Sequence, residues 1–397
     1  MSGPFMAEEC RDRIERFQNT LREQGVDGAF IIQKMDLYYL SGTDQNAVLW
    51  VPASGEPLLM VRKSFERAKQ DAAIDSIIPM STPSQTAEAI KEHTGTLPTR
   101  LGLEMDILPV KLYQAYEKLF PGAEWADISP FIRSVRMVKS PYEISCIRKA
   151  TEIADLMYGQ VPEFLKESET ETDLALRAEA FYRKHGHLGL TRMRGFNMES
   201  VYGHVMAGAG AAMTSASPGP TGGRGHGPYF SQGAGHGRIH PHEPVLIDYT
   251  SNVFGYMSDQ TRIFSKGDLP EKFHQAHRVM LSVQEAVARE GKPGTLASDL
   301  YDLAIKTAKD GGWAQNFMGY PEPVPFVAHG VGLELDEWPI IGRGSEHILE
   351  QGMIVALEPK VIFPGEGVVG IENTFLVTGQ GLEKLNRFPD EIMTVSL

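Results

Sequence analysis

The chain has few cysteines, no long apolar segment and no excess of positive charge. Its two cysteines, Cys10 and Cys146, are far apart and fit no metal-thiolate spacing, which is typical of a reducing cytoplasm. No run approaches the roughly 18 apolar residues of a transmembrane helix, and the N-terminal residues are too polar for a signal peptide. The formal net charge of −13 argues against nucleic acid and anionic membranes as main partners. We therefore predict a soluble, cytoplasmic protein.

A chain of 397 residues is long enough for two domains. Up to about residue 130, apolar segments such as 28–33 and 100–104 alternate with helical segments such as 84–93 and 110–119. This alternation predicts an α/β domain with its own core. We place the first domain at residues 1–135 and the second at 136–397.

Two segments of the chain are predicted to lack regular structure. Residues 132–141 are predicted to be a linker, followed by a long helix that begins at Pro141. Residues 205–242 are rich in glycine, proline and serine, which predicts a long loop or several loops. Two helices are predicted downstream, at about 271–290 and 296–311, and the last third is predicted to be rich in strands.

The stretch from Pro244 to Phe264 predicts a hairpin with a turn at about residues 252–255. Asp248 is near the end of the first predicted strand, and Asp259 is in the second. In such a hairpin the two carboxylates can converge on one face. Two half-buried carboxylates that lie close together repel each other unless a proton or a cation lies between them.

Three further residues of this kind follow downstream. Glu358 ends the apolar strand predicted at 352–359, Glu372 lies inside the one predicted at 368–377, and His329 lies among glycines. An acid in a buried strand is expensive unless it is paired or bound to metal. Four carboxylates and one imidazole suit Mn, Co, Fe or Zn. Their four negative charges predict two divalent ions per chain, about 3.5–4 Å apart.

The order Asp, Asp, His, Glu, Glu, within the motifs LID…GYMSDQTR, HGVGLE, LEP and GIENT, resembles the creatinase/aminopeptidase P/prolidase (M24) metallopeptidases. The resemblance covers essentially the whole chain. It implies a creatinase-like N-terminal α/β domain, followed by a catalytic α+β domain of the pita-bread fold. It also implies a homodimer that acts on a small molecule or a short peptide.

The same resemblance implies a role for each of the five residues. Asp248 would bind one ion, Asp259 and Glu372 would bridge both, and His329 and Glu358 would bind the other. In the hydrolases of this family a metal-activated water attacks the scissile carbonyl, and Glu358 would shuttle its proton.

The family residues that contact the substrate are changed. Family peptidases have three more histidines, and their positions here are Ser231, Pro325 and Asp336; the arginine usual two residues before the last glutamate is Gly370. The histidines of the glycine-rich loop could replace one in space, although a surface role is the alternative.

Asp336, with its neighbours Glu337 and Trp338, is the next candidate. An ionised Asp336 could bind a cationic substrate group or act as a base, and Trp338 could stack on such a cation. Alternatively, Asp336 caps a turn and Trp338 packs in the core. Ser231, Glu337 and Trp338 are the predicted substrate-binding residues, and Glu358 and Asp336 the predicted catalytic ones.

Three functions remain open from the sequence. The first is a dinuclear Xaa-Pro dipeptidase-like hydrolase. The second is a non-peptidase of the same fold that acts on a small cationic substrate, as creatinase, ectoine hydrolase or dimethylsulfoniopropionate lyase does. The lyases have an additional metal-binding Asp just after the first one, where this chain has Asp248-Tyr-Thr, which argues against a direct transfer. The third is a non-enzymatic binding protein, which the five retained ligands disfavour.

Overall fold

The structure, a computed structural model, describes residues 4–397, which divide into two compact units. The first unit extends to Arg136 and includes Gly195–Asn197, and the second contains Met137–Arg194 and Met198–Leu397. The domain boundary predicted after residue 135 stays a prediction. In this described part of the chain, no helix is both long and apolar enough to cross a bilayer.

The first unit is an α/β structure with one six-stranded sheet, in the order β4-β3-β2-β1-β5-β6. Its strands are β1 (Gly28–Ile31), β2 (Ala47–Pro52), β3 (Leu58–Val61), β4 (Ile77–Pro79), β5 (Arg100–Leu103) and β6 (Glu124–Asp127). Its helices are α1 (Pro4–Glu23), α2 (Lys34–Ser41), α3 (Phe65–Asp71), α4 (Thr86–Thr94), α5 (Val110–Leu119) and α6 (Ser129–Met137), with a 3-10 helix at Pro83–Gln85. β1 pairs antiparallel with β2 and parallel with β5.

An aromatic cluster forms the core of the first unit. The ring centroid of Phe30, on β1, lies 5.0 Å from that of Trp50 and 4.8 Å from that of Tyr116. Gly28 leaves room for the indole of Trp50, because a Cβ at position 28 would lie 2.3 Å from it. The predicted α/β character is therefore confirmed for this part of the chain.

The linker predicted at 132–141 was wrong for residues 132–137, which belong to α6; residues 138–140 connect α6 to α7. Ile132 and Val135 are buried on one face of this helix. Their spacing of three residues is helical, but β-branched residues that alternate with arginine weaken the helix signal in the sequence.

The second unit contains three sheets, in the orders β11-β10-β12-β15-β16, β13-β14 and β17-β9-β8-β7. Its strands are β7 (Gly203–Ala207), β8 (Val245–Val253), β9 (Tyr256–Lys266), β10 (Phe326–Gly330), β11 (Glu337–Gly342), β12 (Ile354–Leu357), β13 (Lys360–Phe363), β14 (Gly367–Gly370), β15 (Asn373–Thr378), β16 (Gly381–Lys384) and β17 (Met393–Val395). Its helices are α7 (Pro141–Lys166), α8 (Glu171–Lys184), α9 (Gly208–Ala211), α10 (Glu271–Glu290) and α11 (Ala297–Asp310).

The helices of the second unit cover its sheets with apolar faces. Met280 and Val283 of α10 and Leu300 of α11 are buried in one large cluster with β12 and β14. Tyr158 of α7 is buried against β8 and β9, and its hydroxyl donates to the carbonyl of Ile247 at 3.0 Å. The long helix α7 therefore packs against strands β8 and β9.

Two predictions for the second unit need correction. Residues 205–207 were predicted as loop, but they belong to β7, which pairs antiparallel with β8 over five residues. The strand predicted at 368–377 is two strands, β14 and β15, and Glu372 lies in the break between them. The break is stabilised by a single bridge from Glu372 to Thr261 of β9.

Candidate metal centre

The β8–β9 hairpin places two aspartates on one face. In its register Asp248 pairs with Thr261, and Asp259 pairs with Thr250, two positions along. Since side chains alternate between faces, Asp248, Thr250 and Asp259 point to the same side. Asp248 and Asp259 are diagonal neighbours across the ladder.

The ends of three other strands bring the remaining candidates together. His329 is on β10, Glu358 directly follows β12, and Glu372 directly precedes β15. β12 pairs antiparallel with β10 and with β15, so that the strand carrying Glu358 lies between the other two. The relative exposure of these three residues is 4%, 5% and 1%, respectively.

Three donor groups converge on one point. The Nε2 atom of His329 lies 4.0 Å from Oδ2 of Asp259 and 3.8 Å from Oε1 of Glu372. Donors that bind one ion at about 2.1 Å lie within about 4.2 Å of one another. Oε1 of Glu372 is buried without a hydrogen-bond partner, which is costly for a carboxylate. The residues therefore fit a divalent ion held by Asp259, His329 and Glu372.

A lysine that was not predicted lies among the other carboxylates. Lys360 is the first residue of β13, and its Nζ lies 3.2 Å from Oδ2 of Asp248, 2.6 Å from Oε2 of Glu358 and 3.0 Å from Oε2 of Glu372. Lys360 is completely buried. The signal in the sequence is a lysine in an apolar segment, two residues after Glu358.

Hydrogen bonds from neighbouring residues fix the carboxylates. The hydroxyl of Thr261 donates to Oε2 of Glu372 at 2.7 Å, and the hydroxyl of Thr374 accepts from the backbone N–H of Asp259 at 2.9 Å. The buried guanidinium of Arg262 donates to the backbone carbonyl of Glu372 at 2.9 Å. The centre is therefore positioned by the fold before anything binds.

The close packing of like charges shifts the protonation of these groups. Burial, with the carboxylates of Glu372 and Asp248 nearby, raises the pKa of Asp259 well above its usual range. Burial raises the pKa of Glu358 to about 7, although Lys360 opposes this shift. Burial alone would lower the pKa of Lys360, but three carboxylates around it raise that pKa well above its usual value. Such a cluster of acids favours bound cations.

The Nδ1 side of His329 contacts Asp336. Nδ1 lies 3.1 Å from the backbone carbonyl of Gly330 and 3.5 Å from Oδ1 of Asp336. A proton on Nδ1 suits both oxygens and leaves the Nε2 lone pair facing the acids. Burial alone would lower the pKa of His329, but the neighbouring carboxylates, that of Asp336 first among them, raise it.

A cavity of about 260 Å³ opens onto the acidic centre. Its lining includes Asp248, Asp259, His329, Asp336, Glu358 and Glu372, together with His204, Tyr202, Phe326 and residues 217–221. His204, on β7, is directly opposite Asp248 in the sheet and was not predicted. Desolvation of its imidazole lowers the pKa of His204, so the ring is neutral at pH 7.

The three predicted substrate-binding residues are not part of this lining. Ser231 is exposed. The carboxylate of Glu337 is buried and pairs with Lys139 at 3.1 Å, and the indole of Trp338 packs on His347 with ring centroids 4.8 Å apart. Their substrate roles stay predictions.

Comparison with known protein families identifies both parts of the chain. The model of the Creatinase/Prolidase N-terminal domain matches residues 13–138, and that of Metallopeptidase family M24 matches residues 145–379. The chain belongs to metallopeptidase family M24. The predicted family and fold class are confirmed.

Named relatives of this M24 chain are similar over nearly its whole length. The Xaa-Pro dipeptidase of Lactobacillus delbrueckii is 29% identical over 390 residues, covering 96% of this chain and 98% of that one. The Xaa-Pro dipeptidase of Pyrococcus furiosus is 27% identical over 385 residues, covering 96% and 100%.

Solved structures share the fold of the M24 chain. The Xaa-Pro dipeptidase from Bacillus anthracis superposes with a TM-score of 0.82 at 24% identity, covering 97% of this chain and 100% of that one. The prolidase from Pyrococcus furiosus has a TM-score of 0.76 at 25% identity, covering 94% and 99%. The architecture is therefore that of the prolidases.

Proposed function

We propose that this chain is a metal-dependent hydrolase that cleaves a C–N bond in a short peptide, as its relatives named Xaa-Pro dipeptidase do. The observation that carries the proposal is the convergence of Asp259, His329 and Glu372 at the cavity, with a buried Glu372 oxygen that lacks a partner. Membership of a metallopeptidase family and relatives of that name over 96% of the chain support it.

The donor set determines what a bound metal can supply. A divalent ion held by these three residues would lower the pKa of a water molecule and polarise the scissile carbonyl. Of the metals expected from the sequence, Mn, Co, Fe and Zn all accept such oxygen and imidazole ligands. The choice among them stays a prediction, as do the cytoplasmic location, the homodimer and the number of ions.

Glu358 is the proposed proton shuttle. Its carboxylate lines the cavity, with Oε1 3.8 Å from Nε2 of His329 and Oε2 against Lys360. It can accept a proton from a water at the centre and pass it to the leaving nitrogen. The reaction requires that one carboxylate remain free on the cavity side.

The cavity beside the centre has room for a small substrate. A volume of about 260 Å³ is compatible with a dipeptide. Beside the centre, neutral His204 can donate to or accept from a substrate group, as a family histidine would. Phe326 and Ile340 supply apolar lining for a side chain or an imino ring.

The alternative of a non-peptidase with a small cationic substrate rests on Asp336, which lines the cavity but also faces His329. The relatives named above are dipeptidases, which favours the peptide substrate. With a peptide substrate Asp336 would orient His329, and with a cationic substrate it would also bind the positive group.

The test is an assay of chelated and metal-reloaded protein on Xaa-Pro dipeptides, matched Xaa-Ala dipeptides, creatine, ectoine and a sulfonium compound. We expect Xaa-Pro hydrolysis that needs metal and is lost in His329→Gln but retained in Glu163→Gln, which changes an exposed helix residue. Turnover of a cationic compound alone would replace the peptide proposal with the alternative. No metal-dependent turnover of any compound would refute both.

A further inference from the structure

Lys360 already occupies part of the centre for which the sequence predicted two metal ions. Its ammonium contacts Asp248, Glu358 and Glu372 at hydrogen-bond distances, and it is fully buried. These are three of the five residues predicted to hold metal. The three carboxylates surround the buried ammonium as they would surround a bound metal cation, unlike the single contact of a surface ion pair.

We propose that the Lys360 ammonium takes the place of one metal ion, so that the centre binds a single divalent ion on the side of His329. This inference rests on the proposed metal-dependent function and specifies its metal content.

The carboxylates divide between the two positions. Glu358 and Glu372 each direct Oε2 to Lys360, and each has Oε1 3.8 Å from Nε2 of His329. Asp259 contributes Oδ2 to the His329 side, and Asp248 contributes Oδ2 to Lys360. Glu372 thus bridges the ammonium and the ion position, whereas Glu358 contacts the ammonium through Oε2 and keeps Oε1 facing the ion position.

The charge count is compatible with one ion, but it does not decide between one and two, because the net charges that remain are equal in size. Four carboxylates carry four negative charges, which two divalent ions would balance in the absence of any other cation. With the ammonium present, one divalent ion leaves a single net negative charge, whereas two leave a net positive charge. Three cations within a few ångströms would also repel one another strongly in a buried site.

Gly370 makes room for the lysine. Strands β13 and β14 pair Lys360 with Gly370, at the position where the family usually has arginine. A Cβ at position 370 would lie 2.7 Å from Cγ of Lys360 and 2.5 Å from the carbonyl of Pro359. A side chain at position 370 would therefore meet the backbone of residues 359 and 360 as well as the aliphatic stem of Lys360, and glycine avoids both contacts. A second metal ion would have to displace a fully buried side chain.

Metal content of the full-length protein tests the inference. Protein stripped with a chelator is titrated with Mn²⁺, desalted and measured for manganese per chain and by electron paramagnetic resonance. We expect one manganese per chain, with the hyperfine sextet of an isolated ion. Two ions with an exchange-coupled spectrum would overturn the inference and leave the proposed function intact. No retained ion would overturn both.

Lys360→Ala removes the ammonium and opens its space, so we expect two manganese ions per chain and the spectrum of a coupled pair. The matched control is Lys139→Ala, which removes another buried lysine from an ion pair, that with Glu337, outside the centre. It should still bind one ion. One ion in Lys360→Ala would show that the lysine does not exclude the second. If that variant fails to fold, the wild-type count and spectrum decide alone.

Discussion

Replacement of Asp336 by asparagine is expected to weaken metal binding more than substrate binding. The carboxylate of Asp336 is the charged partner nearest to Nδ1 of His329, at 3.5 Å. It favours the tautomer and the ring orientation that present Nε2 to the ion. Asparagine keeps the size of the side chain and removes its charge. It also tolerates the positive φ of 61° at this position.

The expected loss follows from the contact. Removal of a group that orients a metal-binding histidine typically costs about 10–100-fold in metal affinity, equivalent to about 1.4–2.7 kcal/mol. The carbonyl of Gly330 still accepts from Nδ1 at 3.1 Å, so the orientation of the ring is not lost entirely. We therefore expect the lower half of that range.

The assay is a competition between the protein and a chelator for Mn²⁺, in wild type, Asp336→Asn and the control Asp310→Asn. Asp310 is exposed and pairs only with Lys306 among the ion pairs of the described chain. A positioning role predicts a higher metal Kd for Asp336→Asn, and a lower kcat that excess metal partly rescues. An unchanged Kd with a higher KM for the best substrate would refute this reasoning and show that Asp336 binds substrate.

Four further outcomes are expected. Glu358→Gln should lower kcat by about 10²–10⁴-fold, measured at saturating metal, because an amide cannot shuttle a proton; an unchanged kcat would exclude that role. Burial, with Arg183 nearby, lowers the pKa of His187 from 6.5 to about 4. The imidazole therefore binds a proton more readily in the unfolded chain than in the folded one. The free energy of unfolding should fall as the pH drops from about 6.5 to about 4, by at most about 3 kcal/mol. The difference in urea midpoint between pH 7 and pH 4 should therefore shrink in His187→Phe, and an equal difference would contradict the assignment. Chelation should lower the stability by about 2.7 kcal/mol relative to protein at 100 times the metal Kd, seen as a drop in Tm; an unchanged Tm would mean that no ion binds the folded state. Gly330→Ala places a Cβ 2.2 Å from the carbonyl of Trp338, so it should separate β10 from β11 and lower both Tm and metal affinity; a wild-type Tm would refute this packing argument.

Much of the fold could be predicted from local patterns in the chain. Helix α10 has the predicted bounds, because its apolar residues recur with helical spacing and an acid opens its first turn. The hairpin of β8 and β9 follows from two apolar runs around Phe254-Gly255. Strand β7 was not predicted, because it directly precedes a glycine-rich segment and its last residues were included in the loop predicted from that composition.

The candidate site could be predicted only in part. Acids inside apolar segments stand out, since burial would be costly for them without a cation. Lys360 and His204 do not stand out, because lysine beside glutamate and histidine beside glycine are common at surfaces. Only the pairing of β13 with β14, and of β7 with β8, shows which side chains face the acids. Local sequence patterns do not determine which residues pair between strands that are distant in the chain.

Because Asp248 and Asp259 are diagonal neighbours, the centre depends on whether the number of residues between them is odd or even. The two aspartates share a face only because the number of residues between them matches the alternation of the two paired strands. One residue inserted in β9 between the turn and Asp259 would rotate that carboxylate to the opposite side of the sheet, whereas two inserted residues would return it to the same side, one step further along. An odd length change between the turn and Asp259 therefore removes that carboxylate from the centre, and an even one keeps its face but shifts it by two residues, roughly 6.6 Å, relative to His329 and Glu372.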